Sequence, residues 1–108
     1  RKPIPAFHYM IAIAGGDSIR CADYATFGSD ALSENIIAAL SERTACLMAN
    51  HGMVVVGASL SSAYKLAHEV EALAQRYCIS LQSGEPVLLD DEEIQTILKK
   101  FTDYGKQK

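Results

Sequence analysis

From Leu60 to Leu81 the apolar side chains Leu60, Ala63, Tyr64, Ala67, Val70, Leu73, Ala74, Tyr77 and Leu81 recur with the period of an amphipathic helix. Ser59 stands where its hydroxyl can cap that helix, which at this length needs substantial packing partners. A shorter version of the same pattern follows Ser29: Leu32, Ile36, Ala39 and Leu40 predict a helix from about Asp30 to Glu42. At the far end Asp90 and Glu93 make a start resembling a capping box, and Ile94, Ile97, Leu98 and Phe101 give a last helix its core side. Thr102 to Lys108 reads as a tail carrying Tyr104.

The strand-like stretches are shorter. Ile19 to Tyr24 alternates well enough for a strand, Thr44 to Ala49 and Met53 to Val56 are apolar runs, and Val87 to Leu89 reads as a short edge strand after the Ser83-Gly84-Glu85-Pro86 loop. Pro5 to Ala14 is expected as a short helix, with Pro5 at its first position and Gly15-Gly16 as its stop, although Ile11 and Ile13 alternate with alanines as in a strand. The order is helix, strand, helix, strand pair, long helix, terminal helix. That order predicts an α/β fold, a sheet covered by helices.

One break stands out in this pattern. Asn50-His51-Gly52 separates the apolar run Ala45 to Ala49 from Met53 to Val56. A buried strand has no use for an amide, an imidazole and a glycine in succession, so the break is where chemistry is expected. Gly52 leaves room for a ligand to approach the backbone, and a neutral His51 can bind a divalent transition metal. One histidine is only one of the ligands such an ion needs, and a hydrogen-bonded structural histidine is the competing reading.

Composition narrows the field without pointing to a function. The 108 residues suffice for one domain or part of one, and a hydrophobic content of 49% suits a packed core. A net charge of -3, spread without blocks of one sign, argues against nucleic acid and against a polybasic membrane patch. No apolar run reaches the length of about 20 residues that a membrane helix needs, and cytoplasm is the expected location. Cys21, Cys46 and Cys78 are odd in number, widely spaced and set in apolar or amphipathic surroundings, so reduced core cysteines are expected.

Other candidate groups are weaker. His68-Glu69 is followed by Ala72 where a zinc-binding His-Glu-x-x-His helix has its second histidine, so that motif is absent and His68 is expected as a surface or partly buried helix residue. Tyr9, beside His8, is a plausible general acid, with a packed helix aromatic as the alternative. Glu69 and Glu71, two positions apart on a helix, point in different directions. Gly15-Gly16-Asp17 is expected to be a plain turn, and no phosphate loop or nucleophile elbow occurs.

Ile4-Pro5-Ala6-Phe7-His8-Tyr9-Met10-Ile11-Ala12, Cys21-Ala22-Asp23-Tyr24-Ala25-Thr26-Phe27-Gly28-Ser29 and Ala49-Asn50-His51-Gly52-Met53, in that order and spacing, resemble the class II aldolase/adducin family. His68 to Gln75 and Asp91 to Ile94 extend the match over nearly the whole chain. The resemblance implies a three-layer α/β/α fold, assembly as a homotetramer, and a divalent metal, expected to be zinc, held by three histidines and a glutamate. It places the third of those histidines on His51 and a proton donor, reaching a neighbouring subunit's site, on Tyr9. Phe27, Phe101 and Tyr104 fall where the family closes over its substrate.

The implied reaction is cleavage of a ketose 1-phosphate to an aldehyde and dihydroxyacetone phosphate. By the same resemblance residues 1–108 are the C-terminal portion of a single domain, with the paired metal histidines, the carboxylate and the phosphate-binding loops upstream. The segment is then expected to be inactive by itself. Two alternatives stay open: an adducin-like assembly module without catalysis, and an epimerase or dehydratase of the same family acting on a related sugar phosphate.

Overall fold

The computed structural model describes residues 1–106, with side chains described through residue 102. Its elements in chain order are β1 (Ile4–Pro5), a 3-10 helix (Tyr9–Ala14), β2 (Ser18–Ile19), β3 (Cys21–Ala22), α1 (Asp30–Ala39), β4 (Ala45–Met48), β5 (Gly52–Val55), α2 (Leu60–Gln82) and α3 (Asp91–Lys106). β3, β4 and β5 form one sheet in that order, with β3 parallel to β4 and β4 antiparallel to β5. β1 and β2 form a separate antiparallel pair.

Alternation along β4 builds the layers. Ala45 joins the cluster of Ile4, Ile11, Ala14, Ile19, Val70 and Leu73, and Leu47, Met53 and Val55 pack against the same cluster. Cys46, with Ala22 and Ala39, forms a second cluster packed by Ile36, Leu40 and Val54. Since successive strand side chains point to opposite faces, one face of the sheet is covered by α2 and the 3-10 helix and the other by α1. The expected α/β arrangement of three layers is what forms. α3 lies outside the 3-10 helix, where Ile94 and Ile97 bury against Ala6 and Ala12 with Leu89, Leu98 and Phe101 alongside.

Capping sets the helix starts where the sequence places them. The Ser29 hydroxyl accepts from the Leu32 N–H, Ser59 and Ser62 form a reciprocal capping box, and Asp90 Oδ1 accepts from the Glu93 N–H at 2.9 Å. Leu32 and Ala39 are buried and Ile36 and Leu40 half-buried, the stripe expected for α1. That helix stops at Ala39 rather than Glu42, because the chain turns back through Glu42 at φ 56° and Arg20 Nη1 donates to Ser41 O.

Several expectations are corrected. Pro5 does not open a helix: it pairs with Ser18 in β1, the Phe7 N–H turns back to Pro5 O, and a six-residue 3-10 helix begins only at Tyr9. Its stop is where the glycines put it, with Gly15 at φ 106°. The stretch from Ile19 to Tyr24 is not one strand, since Ser18–Ile19 pairs with β1 while Cys21–Ala22 pairs with β4. Val87 to Leu89 is no strand, and its tie to the fold is the Leu89 N–H donating to Ala6 O at 2.8 Å. Helix α3 runs on through the expected tail to Lys106.

The broad face expected on α2 is buried only in its middle, at Val70 and Leu73, with Leu66, Ala74 and Tyr77 half-covered. Leu60, Tyr64 and Leu81 are exposed. Of the cysteines only Cys46 is a core residue; Cys21 is half-buried and Cys78 exposed, and all three are free. No helix among the described residues is long and apolar enough to cross a membrane.

Candidate functional site

The Asn50-His51-Gly52 break is the tip of the β4–β5 hairpin. Met48 pairs with Gly52, leaving Ala49, Asn50 and His51 as a three-residue loop closed by the His51 N–H donating to Met48 O at 3.1 Å. Asn50 takes the left-handed conformation, φ 57°, which a short amide side chain tolerates better than a branched one. His51 follows it, exposed, between two strands that fix its backbone.

β3 and β4 are parallel, so the loops that leave their carboxyl ends lie at the same edge of the sheet, the edge where open α/β sheets bind ligands. One loop carries His51. The other carries Phe27, which is 80% exposed in a tight turn with Gly28 at φ 76°, closed by the Ser29 N–H and hydroxyl both donating to Thr26 O. Asn35 Nδ2 holds the start of that loop by donating to Asp23 O at 3.0 Å. Arg1 spans the two loops, donating from Nε to Asn50 Oδ1 at 2.7 Å with its guanidinium over the Tyr24 ring. Arg1 lies outside every motif and Tyr24, though within the Cys21–Ser29 stretch, has no role assigned by it; only the fold places the two beside the hairpin.

Tyr9 lies on neither of these loops. It opens the 3-10 helix, half-exposed, and its ring lies against that of His8 with centroids 4.8 Å apart. Among the described residues no hydrogen bond or ring contact joins it to His51. Phe101 packs half-buried on the Ala6 and Ile94 cluster, and the Tyr104 side chain lies outside the described residues. His68 is exposed, edge-on to Tyr64.

As a metal centre the arrangement is partial. No group of three or more histidine, cysteine, aspartate or glutamate side chains is gathered among the described residues, so a metal held at His51 would find one imidazole donor here and would need its other ligands from outside them. Cys46 is unsuited to the task, since burial, with Cys21 nearby, pushes its thiol pKa up and favours the protonated form.

An α/β sheet with an exposed histidine on a hairpin at the carboxyl end of a parallel pair defines the class of architecture. Residues 1–78 match the model of the class II aldolase and adducin N-terminal domain, and the chain belongs to the class II aldolase/adducin family. It is 52% identical over 104 residues to the 5-methylthioribulose-1-phosphate/5-deoxyribulose-1-phosphate aldolase of Rhodospirillum rubrum, and 54% identical over 105 residues to the L-fuculose phosphate aldolase of Escherichia coli O6:H1. Each match takes in 96% of this chain and 47% or 49% of the relative. A solved L-fuculose 1-phosphate aldolase superimposes with a TM-score of 0.90 at 44% identity, over 94% of this chain and 48% of its own. The chain thus spans about half the length of the relatives it matches.

Proposed function

We propose that this chain is the C-terminal portion of a divalent-metal aldolase domain that cleaves a sugar 1-phosphate of the ketose type, with His51 as a metal ligand and Tyr9 as proton donor. The observation that supports it most is the placement of His51: an exposed imidazole on a rigid hairpin, in a chain more than half identical to two sugar-phosphate aldolases along nearly its whole length. When bound, a divalent ion, zinc in this reading, supplies Lewis-acid polarisation of the ketose carbonyl. The protein's own contribution is positional. The hairpin holds one ligand, Phe27 offers an apolar cover at the same edge, and Tyr9 presents a phenolic proton.

The distance between roles follows from the fold. Among the described residues Tyr9 has no hydrogen bond or ring contact with the hairpin of its own chain, which suits a proton donor that serves the site of a second copy in a homotetramer. Phe101 and Tyr104, both on α3, are the proposed closures over substrate.

The test is to produce this chain together with the rest of its reading frame, load it with zinc, and follow cleavage of L-fuculose 1-phosphate and 5-deoxyribulose 1-phosphate. Bound zinc near one per subunit and aldehyde release are expected. His51→Ala should lower both metal content and turnover by about 100-fold or more. Full activity in that variant would remove His51 from the metal site.

A further inference from the structure

We propose that His8 is the positioning residue for Tyr9, gripping the backbone with one ring nitrogen and the phenol with its ring face. The inference rests on the reading of Tyr9 as proton donor and says how that phenol is held. His8 is the N-cap of the 3-10 helix, extended at φ -152° and ψ 146°, and its Nδ1 accepts from the Met10 N–H at 3.1 Å. Only the neutral ring with its proton on Nε2 can accept there. The ring planes of His8 and Tyr9 are 24° apart, a stacked pair.

The stack is anchored from behind. Phe7 lies 6.0 Å from His8, centroid to centroid, and 5.1 Å from Tyr77 of α2, so a row of four rings runs from the long helix to the exposed phenol. Phe7 and Tyr77 themselves pack against the main core cluster. Tyr9 needs such a hold. It is 53% exposed, its hydroxyl has no partner among the described residues, and a six-residue 3-10 helix has poor hydrogen-bond geometry. Without cap and stack, the first turn frays and the phenol samples several rotamers, few of which aim the proton.

The two grips separate by substitution in the zinc-loaded protein described above. His8→Asn keeps an acceptor near the Nδ1 position and loses the ring, His8→Phe keeps a ring and loses the acceptor, and His8→Ala loses both. We expect kcat to fall about tenfold or more in His8→Ala and by less in each of the other two, with KM within about twofold throughout. In protein labelled with 13C-tyrosine, the Tyr9 ring resonance, assigned by its loss in Tyr9→Phe, should move and broaden in His8→Ala. The proposal is overturned if His8→Ala keeps kcat within twofold, if Asn and Phe do no better than Ala, or if a reduced folded fraction by circular dichroism accounts for the whole loss. If Tyr9→Phe itself leaves kcat unchanged, the proton-donor reading fails, and the ring resonance still decides whether His8 holds Tyr9.

Discussion

Replacing Gly16 by alanine tests what joins the turn after the 3-10 helix to the loop before β4. The guanidinium of Arg43 lies directly over Gly16, so a Cβ there would overlap it. Arg43 is anchored as well as close: Nε donates to Ser18 O at 3.2 Å, Nη1 to Glu42 O at 3.2 Å and Nη2 to Asp17 Oδ1 at 3.0 Å, with the side chain only 9% exposed. The bonds to the two carbonyls come from a charged donor, worth about 1.5 kcal/mol or more each. The Asp17 pair adds at most ~1 kcal/mol, because that carboxylate is 54% exposed.

A displaced guanidinium regains some hydration from the open cleft of about 650 Å³ that Arg43 borders. The net cost of Gly16→Ala is therefore about 2–4 kcal/mol, read as a lower midpoint in urea at unchanged slope. A double-mutant cycle isolates the cause. In an Arg43→Ala background the three atoms nearest that Cβ are gone, and Gly16→Ala should cost under about 0.5 kcal/mol. Equal costs in both backgrounds would refute the account, as would a single-mutant cost near zero.

Four further outcomes follow from the core, the hairpin and the thiols. Leu73→Ala, at a fully buried site between α2 and the sheet, should cost about 2–5 kcal/mol and lower Tm by several degrees in calorimetry. Asn50→Val forces a branched residue to φ 57° and should cost about 1–3 kcal/mol while lowering zinc retention, whereas Asn50→Gly should keep the loop; both are read by denaturation and metal analysis. In thiol labelling of the native protein Cys78 should react fast and Cys46 only on opening. Because the Cys46 pKa is raised by burial, its contribution to stability is fully present below the ordinary thiol pKa and is lost as pH rises through the folded value; Cys46→Ala should flatten that alkaline decline.

The helices were legible because their evidence is local. Ser29, Ser59 and Asp90 each cap the helix that follows, and the apolar spacing of α1 and α3 names the residues that bury. The hairpin was legible as a break between two apolar runs, though the reading could not say that Asn50 makes the turn and His51 rides on it. The amino end was misread because Pro5 and the alanines satisfy helix preferences, while β1 forms only when Ser18–Ile19 comes back to meet it. The 19–24 segment failed for a related reason. Its halves have different partners, and alternation within six residues carries no information about which.

What the sequence alone determined about this protein was the kind and order of its major elements, the family, and the residues at the His51 hairpin, since spacing and caps act within a few residues of themselves. The tertiary structure decided the rest. It split one expected strand between two sheets, left Leu60 and Tyr64 of the long helix uncovered, set the loops of Phe27 and His51 at one sheet edge with Tyr9 on neither loop, and laid His8 against the phenol. Those outcomes depend on which distant segments meet, and burial against a partner is not written in the period of either one.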